Sequence, residues 1–176
     1  MLSFRAALLD DIPIVDALVQ SAFRGEVSRR GWTTEADLFD GQRTDAATLI
    51  GVAASPTGML LVAESDGEVV ACCQLERHDD ETAYLGMISV RPAMQAGGIG
   101  RALVAEAERR AIVELDASRA RMTVIRHRSE LIAWYERLGY RPTGETEPFP
   151  YGDERFGVPK VDDLEFVVLE KPLAVV

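Results

Sequence analysis

Hydrophobic residues near the N-terminus recur at intervals of three and four, the spacing of one face of an α-helix. The positions that share this spacing are Val15, Leu18, Val19, Ala22 and Phe23. A short apolar segment before them predicts an opening strand over Leu2–Ala6. Asp10 or Asp11 then suits the helix N-cap, with Pro13 tolerated in the first turn. The chain is therefore expected to begin with a strand and a helix that buries one face.

The following region is polar and irregular. Residues 24–43 include three glycines and are expected to hold only a short second helix. Residues 45–53 are expected to hold another short helix before the pattern changes.

Beyond Gly58 the apolar segments become shorter and bounded by turn residues, as is typical of strands. The segments with this character are Met59–Glu64, Glu68–Glu76, Tyr84–Val90, Arg121–Ile125, Arg141–Glu147 and Leu164–Glu170. Ser65-Asp66-Gly67 separates the first two and predicts a hairpin turn. A helix over Gly98–Glu114 and a second one from Ser129 to just before Gly139 separate the later strands.

This order of elements predicts an α/β (α+β) fold with a mixed sheet flanked by helices. Strands joined by hairpins pair antiparallel, whereas the strand–helix–strand unit in the middle makes a parallel pair. The 176 residues show no repeats, low-complexity tracts or linker. We therefore expect one domain over residues 1–176.

Composition narrows the class of protein. Hydrophobic residues make up 47% of the chain, but no apolar run approaches the roughly 20 residues of a membrane helix. The N-terminus lacks the features of a secretory signal, which favours the cytoplasm. With 19 Lys and Arg against 29 Asp and Glu, the formal charge is −10. This charge disfavours nucleic-acid binding and mildly favours a cationic substrate.

The cysteines and histidines indicate no metal site. Cys72 and Cys73 are adjacent, so in a strand they would point to opposite faces and could not form an ordinary disulfide. The only histidines are His78 and His127. We expect one core thiol and one partly exposed thiol, and no metal.

A glycine-rich turn follows the third predicted strand of the hairpin set and opens the long helix. Gln95, Gly98 and Gly100 form the pattern Gln-x-x-Gly-x-Gly. Free N–H groups at such a turn, with the helix dipole behind them, bind a diphosphate well. A P-loop would need Lys after Gly100, where Arg101 stands, and the dinucleotide pattern would need Gly in place of Leu103.

This turn, the strand ending Ile88-Ser89-Val90-Arg91-Pro92 and the run Tyr135-Glu136-Arg137-Leu138-Gly139-Tyr140 resemble the GNAT superfamily of acyl-CoA N-acyltransferases. The resemblance is strongest over Tyr84–Tyr140. It implies a GNAT-like central sheet of about seven strands and acetyl-CoA as the donor. The residues that it implies for binding acetyl-CoA are Ile88, Ser89, Val90, Gln95, Ala96, Gly97, Gly98, Ile99, Gly100, Arg101 and Arg128.

Two positions depart from the family pattern. Arg128 stands where the family has Asn, and Leu131 stands where it has Ala. The resemblance therefore leaves two contacts open for Arg128, a phosphate of the donor or an acidic group of the substrate.

Tyr135 is the residue expected to take part in catalysis. A phenol near the sulfur can donate a proton to the thiolate that leaves when an amine attacks a thioester. Spacing alone also places Tyr135 on the apolar stripe with Leu131 and Leu138. Both roles are compatible, because the ring can pack while the hydroxyl reaches the sulfur.

The general base is less defined. Many members of the family carry Glu on the motif strand, but residues 84–87 contain none. Glu81, just before this strand, and Glu35, in the segment expected to face the substrate, are the two candidates. Either one is equally compatible with an ordinary surface carboxylate.

The acceptor side is expected to lie near residues 29–37. Trp32 with Glu35 and Asp37 could bind a cation, and Arg43 could hold a carboxylate. The alternative is a solvated loop anchored by one Trp. A second aromatic and basic loop over residues 149–157 would either close the same pocket or form a homodimer contact.

The resulting hypothesis is an acyltransferase that moves acetyl from acetyl-CoA to a small-molecule amine by direct attack. Neither cysteine lies near the motifs, which argues against an acyl-enzyme. The alternatives are a protein or peptide N-acetyltransferase and a non-catalytic module that senses acyl-CoA.

Overall fold

The computed structural model describes residues 1–174 and consists of one large sheet covered by helices on both faces. Its strands are β1 (Leu2–Ala6), β2 (Phe39–Asp40), β3 (Gly58–Ser65), β4 (Glu68–Arg77), β5 (Thr82–Val90), β6 (Arg119–Ile125), β7 (Arg141–Pro148), β8 (Val158–Pro159) and β9 (Glu165–Pro172). Its helices are α1 (Ile12–Phe23), α2 (Gly25–Ser28), α3 (Ala46–Ala53), α4 (Ile99–Leu115) and α5 (Ser129–Arg137). Within this range, no helix is both long enough and apolar enough to cross a bilayer.

The large sheet has seven strands in the order β1-β3-β4-β5-β6-β9-β7. All neighbours pair antiparallel except β5 and β6, which are parallel and are connected by α4. The mixed sheet predicted from the order of elements is therefore confirmed.

The hairpin between β3 and β4 turns where the sequence predicts it. Asp66 and Gly67 have φ values of 53° and 81°. Positive φ at both central residues is the signature of the type I′ turn, whose twist matches that of the flanking strands. This turn fixes the register of the strands that lead to the site.

The sheet separates two apolar clusters, and this arrangement buries both cysteines. One cluster lies between the sheet and α4 and includes Cys73, and the other lies under α1 and α3 and includes Cys72. Both thiols are 0% exposed, so the expectation of one partly exposed thiol is wrong. The reason is that helices cover both faces of β4. Burial raises the pKa of Cys72 to about 12 and also raises that of Cys73, so both remain protonated.

A second sheet joins the two irregular regions of the chain. β2 and β8 pair antiparallel through two residue pairs, Phe39 with Pro159 and Asp40 with Val158. Phe39 packs against Phe149, with ring centroids 5.2 Å apart. The sequence did not predict these strands, because two-residue strands have no detectable periodicity. They hold the loops of the acceptor side together.

Candidate functional site

The parallel strands β5 and β6 separate soon after they begin. Thr82–Tyr84 pair with Arg119–Arg121, and within residues 1–174 no further pair follows. The edge of β5 that faces β6 is therefore left without a strand partner over residues 85–90. A cavity of about 740 Å³ lies along this gap.

A bulge in β5 accompanies the divergence. The register of β4 and β5 shifts between Cys72 and Gln74, and Met87 opposite this shift has φ 49°. A bulge bends and twists its strand, which directs the end of β5 away from β6. Gly86 beside it is closely covered, since a Cβ there would lie 2.6 Å from Cε1 of Tyr84.

The turn between β5 and α4 presents a row of free backbone N–H groups. In the described part of the chain, no oxygen accepts a hydrogen bond from the N–H of any residue from Ala96 to Arg101. Ala96 and Gly98 have φ values of 65° and 86°. Successive N–H groups in such left-handed turns form anion-binding concavities, and the dipole of α4 adds positive potential. The turn is therefore able to bind a diphosphate.

The cavity extends from the gap to this turn. The residues implied for acetyl-CoA that line it are Ile88, Ser89, Val90, Gln95, Ala96, Gly98, Gly100, Arg101 and Arg128. Gly97 and Ile99 belong to the same turn but do not line the cavity. The structure thus brings most of the implied binding residues to one continuous surface.

Gln95 joins the turn to the acceptor side. Its Nε2 donates to the carbonyl of Val90 at 3.1 Å, and its Oε1 accepts from the N–H of Trp32 at 3.0 Å. Gly31 lies directly against this amide, where any Cβ would overlap with Gln95. The sequence gave no signal for this contact, because it joins two loops 63 positions apart.

Tyr135 packs in the core and also lines the cavity. Its side chain is only 5% exposed and packs edge-on against Trp134, with ring centroids 5.0 Å apart. It also lines the cavity, and its hydroxyl forms no hydrogen bond with any residue of the range 1–174. Burial raises the pKa of Tyr135, and the charge of Arg128 offsets only part of this rise. The phenol therefore stays protonated at neutral pH and is free to donate.

Glu35 is buried between two arginines. Its Oε2 accepts from Nη1 of Arg24 at 2.6 Å, and its Oε1 accepts from Nη1 of Arg128 at 2.8 Å. Burial favours the protonated carboxyl, but the charges of Arg128, Arg43 and Arg24 outweigh it and hold the pKa of Glu35 below its ordinary value. A carboxylate that is paired on both oxygens is a weak base. The geometry instead makes Glu35 the centre of a buried ion cluster.

Arg24 and Arg128 hold the walls of the pocket through this cluster. Arg24 also donates to the carbonyl of Phe156 at 2.9 Å, and Arg128 donates to Oγ1 of Thr33 at 2.8 Å. Arg128 is 5% exposed, and the hydrogen bonds of its guanidinium go to Glu35 and Thr33 on the acceptor side. The sequence holds no local signal for Arg24, because its partner Glu35 lies 11 positions later in the chain.

Glu81 lies outside the cavity, so this candidate base is not part of the site. Its side chain is 72% exposed and lies 3.9 Å from Arg119. The residue precedes the first residue of β5, whereas the cavity is lined by the last seven residues of that strand, Tyr84–Val90. Among residues 1–174, no three His, Cys, Asp or Glu side chains are grouped to hold a metal ion.

The acceptor side is formed by both loops. Trp32 and Arg43 line the cavity, as do Phe149 and Phe156 from the second loop. The ring centroid of Trp32 lies 6.0 Å from that of Trp134. Asp37 is outside the cavity and pairs with Arg29 at 2.7 Å. The loop over residues 149–157 therefore lines the same pocket, in agreement with the first of the two alternatives expected for it.

The comparison with protein families places the glycine-rich turn and Tyr135 within a known domain. Residues 56–142 match the sequence model of the family described as "Acetyltransferase (GNAT) domain". This range contains β5, the turn and α5. No curated protein is similar enough in sequence for a significant match.

Several solved structures share the fold at low sequence identity. The ribosomal-protein-S18-alanine N-acetyltransferase from Escherichia coli is 17% identical, with a TM-score of 0.68 over 100% of this chain and 96% of that one. The protein yncA from Salmonella typhimurium, solved with its cofactor acetyl-CoA, is 16% identical, with a TM-score of 0.70 over 100% and 96%. IAA acetyltransferase from Bacillus cereus ATCC 14579 is 18% identical, with a TM-score of 0.66 over 98% and 100%.

Proposed function

This chain belongs to the GNAT superfamily of acetyltransferases, and from that premise we propose that it moves the acetyl group of acetyl-CoA to the primary amine of a small molecule. We also propose that residues 1–176 form one domain and act in the cytoplasm. The observation that carries the proposal is the row of unpaired N–H groups at Ala96–Arg101, which continues into the gap beside β5.

Acetyl-CoA is assigned to the turn at Ala96–Arg101 and to the gap beside β5 because both offer backbone groups that have no hydrogen-bond partner among residues 1–174. A diphosphate would take up the free N–H groups of the turn, with the guanidinium of Arg101 beside them. An amide-bearing arm of the donor would pair with the unpartnered edge of β5, in the place that a strand would otherwise occupy. The thioester would then lie deeper in the cavity, where Tyr135 lines the wall.

The acetyl group moves in one displacement. The amine nitrogen forms a bond to the carbonyl carbon, the carbon–sulfur bond breaks, and the leaving sulfur accepts the proton of the Tyr135 hydroxyl. The nitrogen then releases its extra proton to water to give the neutral amide, and solvent returns a proton to the phenolate. A covalent acyl-enzyme is disfavoured because Cys72 and Cys73 are buried thiols with raised pKa values.

The acceptor reacts as the neutral amine. Glu35 is held by two guanidinium groups and Glu81 lies outside the cavity, so neither carboxylate is positioned to accept the ammonium proton. The proton is therefore lost to water before the amine attacks. This assigns Glu35 to the wall of the pocket, not to proton transfer.

The covered acceptor side favours a small molecule. β2 and β8 join the two loops, and Arg24 fixes the second loop through the carbonyl of Phe156. A protein acceptor generally needs an open groove for its chain on both sides of the amine. The enclosure here supports a compact acceptor.

The test combines binding with turnover. Calorimetry would measure the affinity for acetyl-CoA and for coenzyme A, and release of free thiol would be followed with a panel of small amines and amine-bearing peptides. We expect acetyl-CoA binding in the micromolar range, about 1 μM to 1 mM, together with thiol release that depends on a small amine.

Three other results would contradict the proposal in different ways. Turnover with peptides alone would identify a protein N-acetyltransferase. Tight binding without turnover of any amine, unaffected by Tyr135→Phe, would identify a sensor of acyl-CoA. Absence of binding to either form of the coenzyme would remove the assignment of the turn.

A further inference from the structure

The acceptor half of the cavity is positively charged, although the whole protein carries a formal charge of −10. Within residues 1–174, Glu35 is the only Asp or Glu that lines the cavity. Four arginines line it around the acceptor side. Arg155 is paired with Asp153, which does not line the cavity, and the other three are Arg24, Arg43 and Arg128. One carboxylate against three guanidinium groups leaves a local excess of positive charge, opposite in sign to the overall charge.

Arg43 carries the positive charge on the acceptor side of the cavity that no carboxylate pairs with in the described range. Arg24 and Arg128 occupy both oxygens of Glu35 at 2.6 Å and 2.8 Å. By contrast, no Asp or Glu oxygen in the described range lies within the 4.0 Å ion-pair distance of Arg43. The Arg43 guanidinium is placed over the ring of Phe23, 5.0 Å from its centroid. Packing therefore holds the Arg43 guanidinium at the cavity wall, and no carboxylate of the described residues accepts a hydrogen bond from its N–H groups.

A buried hydroxyl next to Arg43 also lacks a partner. Thr44 is 5% exposed and lines the cavity, and its Oγ1 is a buried atom without a hydrogen bond in the described structure. Thr48 and Val52 follow at four-residue intervals and line the same wall. Since buried polar groups are normally satisfied, an unpaired hydroxyl and a guanidinium without a carboxylate partner on the same cavity point to a polar ligand there.

We propose that Arg43 and Thr44 form a subsite for a carboxylate group on the acceptor, so that the substrate is an amine that also bears an acid, of the amino-acid type. This inference rests on the proposed function for the amine, but the anion subsite itself does not depend on catalysis. A planar guanidinium binds a carboxylate through two parallel hydrogen bonds, and the threonine hydroxyl can donate a third. Peptide N-termini and lysine side chains lack a carboxylate beside the amine and would leave this subsite empty.

The same charges oppose a cationic acceptor. Trp32 lines the cavity, but Asp37 does not, and the charge of Glu35 is already taken up by two arginines. A second cationic group on the acceptor would therefore meet Arg43, and among residues 1–174 no unpaired carboxylate lines the cavity to offset that charge. The preference for cations suggested by the overall charge does not extend to this pocket.

The experiment compares amino acids with the carboxylate-free amines that they form on decarboxylation, such as phenylalanine with phenethylamine and leucine with isoamylamine. Binding is measured by calorimetry in the presence of coenzyme A, which cannot react, and acetylation is measured by thiol release from acetyl-CoA. The proteins are the wild type, Arg43→Gln and Arg30→Gln. Arg30 is an exposed arginine that does not line the cavity, so its variant carries the same change in net charge.

We expect wild type and Arg30→Gln to bind at least one amino acid more tightly than its decarboxylated partner. Arg43→Gln should lose this preference, with affinity for the amino acid falling about 10-fold to 100-fold, the effect of removing a hydrogen bond to a charged group. Its affinity for the decarboxylated amine and for coenzyme A should be unchanged, and its thermal unfolding should match that of Arg30→Gln.

The inference is overturned if no pair shows a preference for the carboxylate in the wild type, or if the preference persists in Arg43→Gln. Acetylation of amino acids that Arg43→Gln leaves unaffected would keep the proposed function in place and remove the subsite. Carboxylate binding that depends on Arg43, without thiol release from any pair, would remove the proposed function and leave the subsite.

Discussion

Nη1 of Arg128 lies 2.8 Å from Oε1 of Glu35 and joins the residue preceding α5 to a loop 93 positions earlier in the chain. Arg24 takes the second oxygen of the same carboxylate at 2.6 Å. One buried carboxylate therefore holds three separate segments around the acceptor side. Its role can be tested apart from catalysis.

Glu35→Gln is expected to destabilise the protein. It removes the only carboxylate that faces the buried guanidinium groups of Arg24 and Arg128 in the described structure, and breaking a buried pair in this way costs about 3–5 kcal/mol. Denaturant unfolding would measure the loss in the free energy of unfolding. Glu26→Gln is the control, since Glu26 forms an exposed i,i+3 pair with Arg29. Equal unfolding midpoints for the two variants would contradict the role given to Glu35.

The stability difference between wild type and Glu35→Gln should depend on pH. The pKa of Glu35 is lower in the folded protein than its ordinary value of 4.5. A group with a depressed folded pKa contributes stability above its unfolded pKa, and this contribution is lost as the pH falls through the folded pKa. We therefore expect the difference to be constant above pH 4.5 and to shrink in more acidic solution. A difference that grows with acid would show that the pKa of Glu35 is raised.

Tyr135→Phe should lower kcat far more than the affinity for acetyl-CoA. The change removes one hydroxyl that has no partner among residues 1–174, and loss of a general acid typically costs about 10²-fold to 10⁴-fold in rate. Steady-state kinetics and calorimetry would separate the two effects. Tyr140→Phe is the matched control, because the Tyr140 hydroxyl donates to Glu108 at 2.9 Å. That variant should lose stability and keep its kcat, and an unchanged kcat in Tyr135→Phe would exclude the phenol from the mechanism.

The value of kcat/KM should rise with pH and should not fall again while the Tyr135 phenol keeps its proton. The neutral acceptor is the reactive form, so kcat/KM increases as the ammonium group loses its proton. Burial raises the pKa of Tyr135 above the ordinary value of 10.0, so the phenol keeps its proton and remains a donor throughout this range. A pH–rate profile for one amine would measure both limbs. A fall in kcat/KM well below pH 10 would assign the acid to another group.

Gly98→Ala should weaken the binding of acetyl-CoA. Gly98 has φ 86°, a conformation that costs an alanine about 1–2 kcal/mol, and relaxation of the turn would redirect its free N–H groups. Gly67→Ala is the control, because Gly67 has φ 81° in the distant hairpin turn and meets the same backbone cost. Calorimetry should show lower affinity for Gly98→Ala alone, although both variants lose stability. Equal affinity in both would mean that the turn geometry does not govern binding.

The sequence predicted the elements that depend on local patterns. The hairpin at Asp66-Gly67, the turn before α4 and the apolar stripe of α5 all have short-range signals in residue type and spacing. The seven-stranded mixed sheet followed from their order. These features locate the donor side of the site.

The acceptor side could not be predicted in the same way, because its contacts join distant polar side chains. The pairing of Arg24 with Glu35 and of Gln95 with the Trp32 N–H has no period in the sequence. Glu81 was considered because it precedes the motif strand. The structure shows that Tyr84–Val90 line the cavity, whereas Glu81 lies before the strand begins and outside the lining.

The contact of Gln95 with Gly31 and Trp32 limits how acceptor specificity can be redesigned. The loop that carries Trp32 docks on an amide that is itself anchored to the end of β5. A grafted loop without a glycine at position 31 would displace that amide and disturb the neighbouring turn. Engineering of this enzyme for new amines therefore has to transplant positions 31 and 95 as a unit, or else change residues such as Arg43 that line the pocket without supporting its frame.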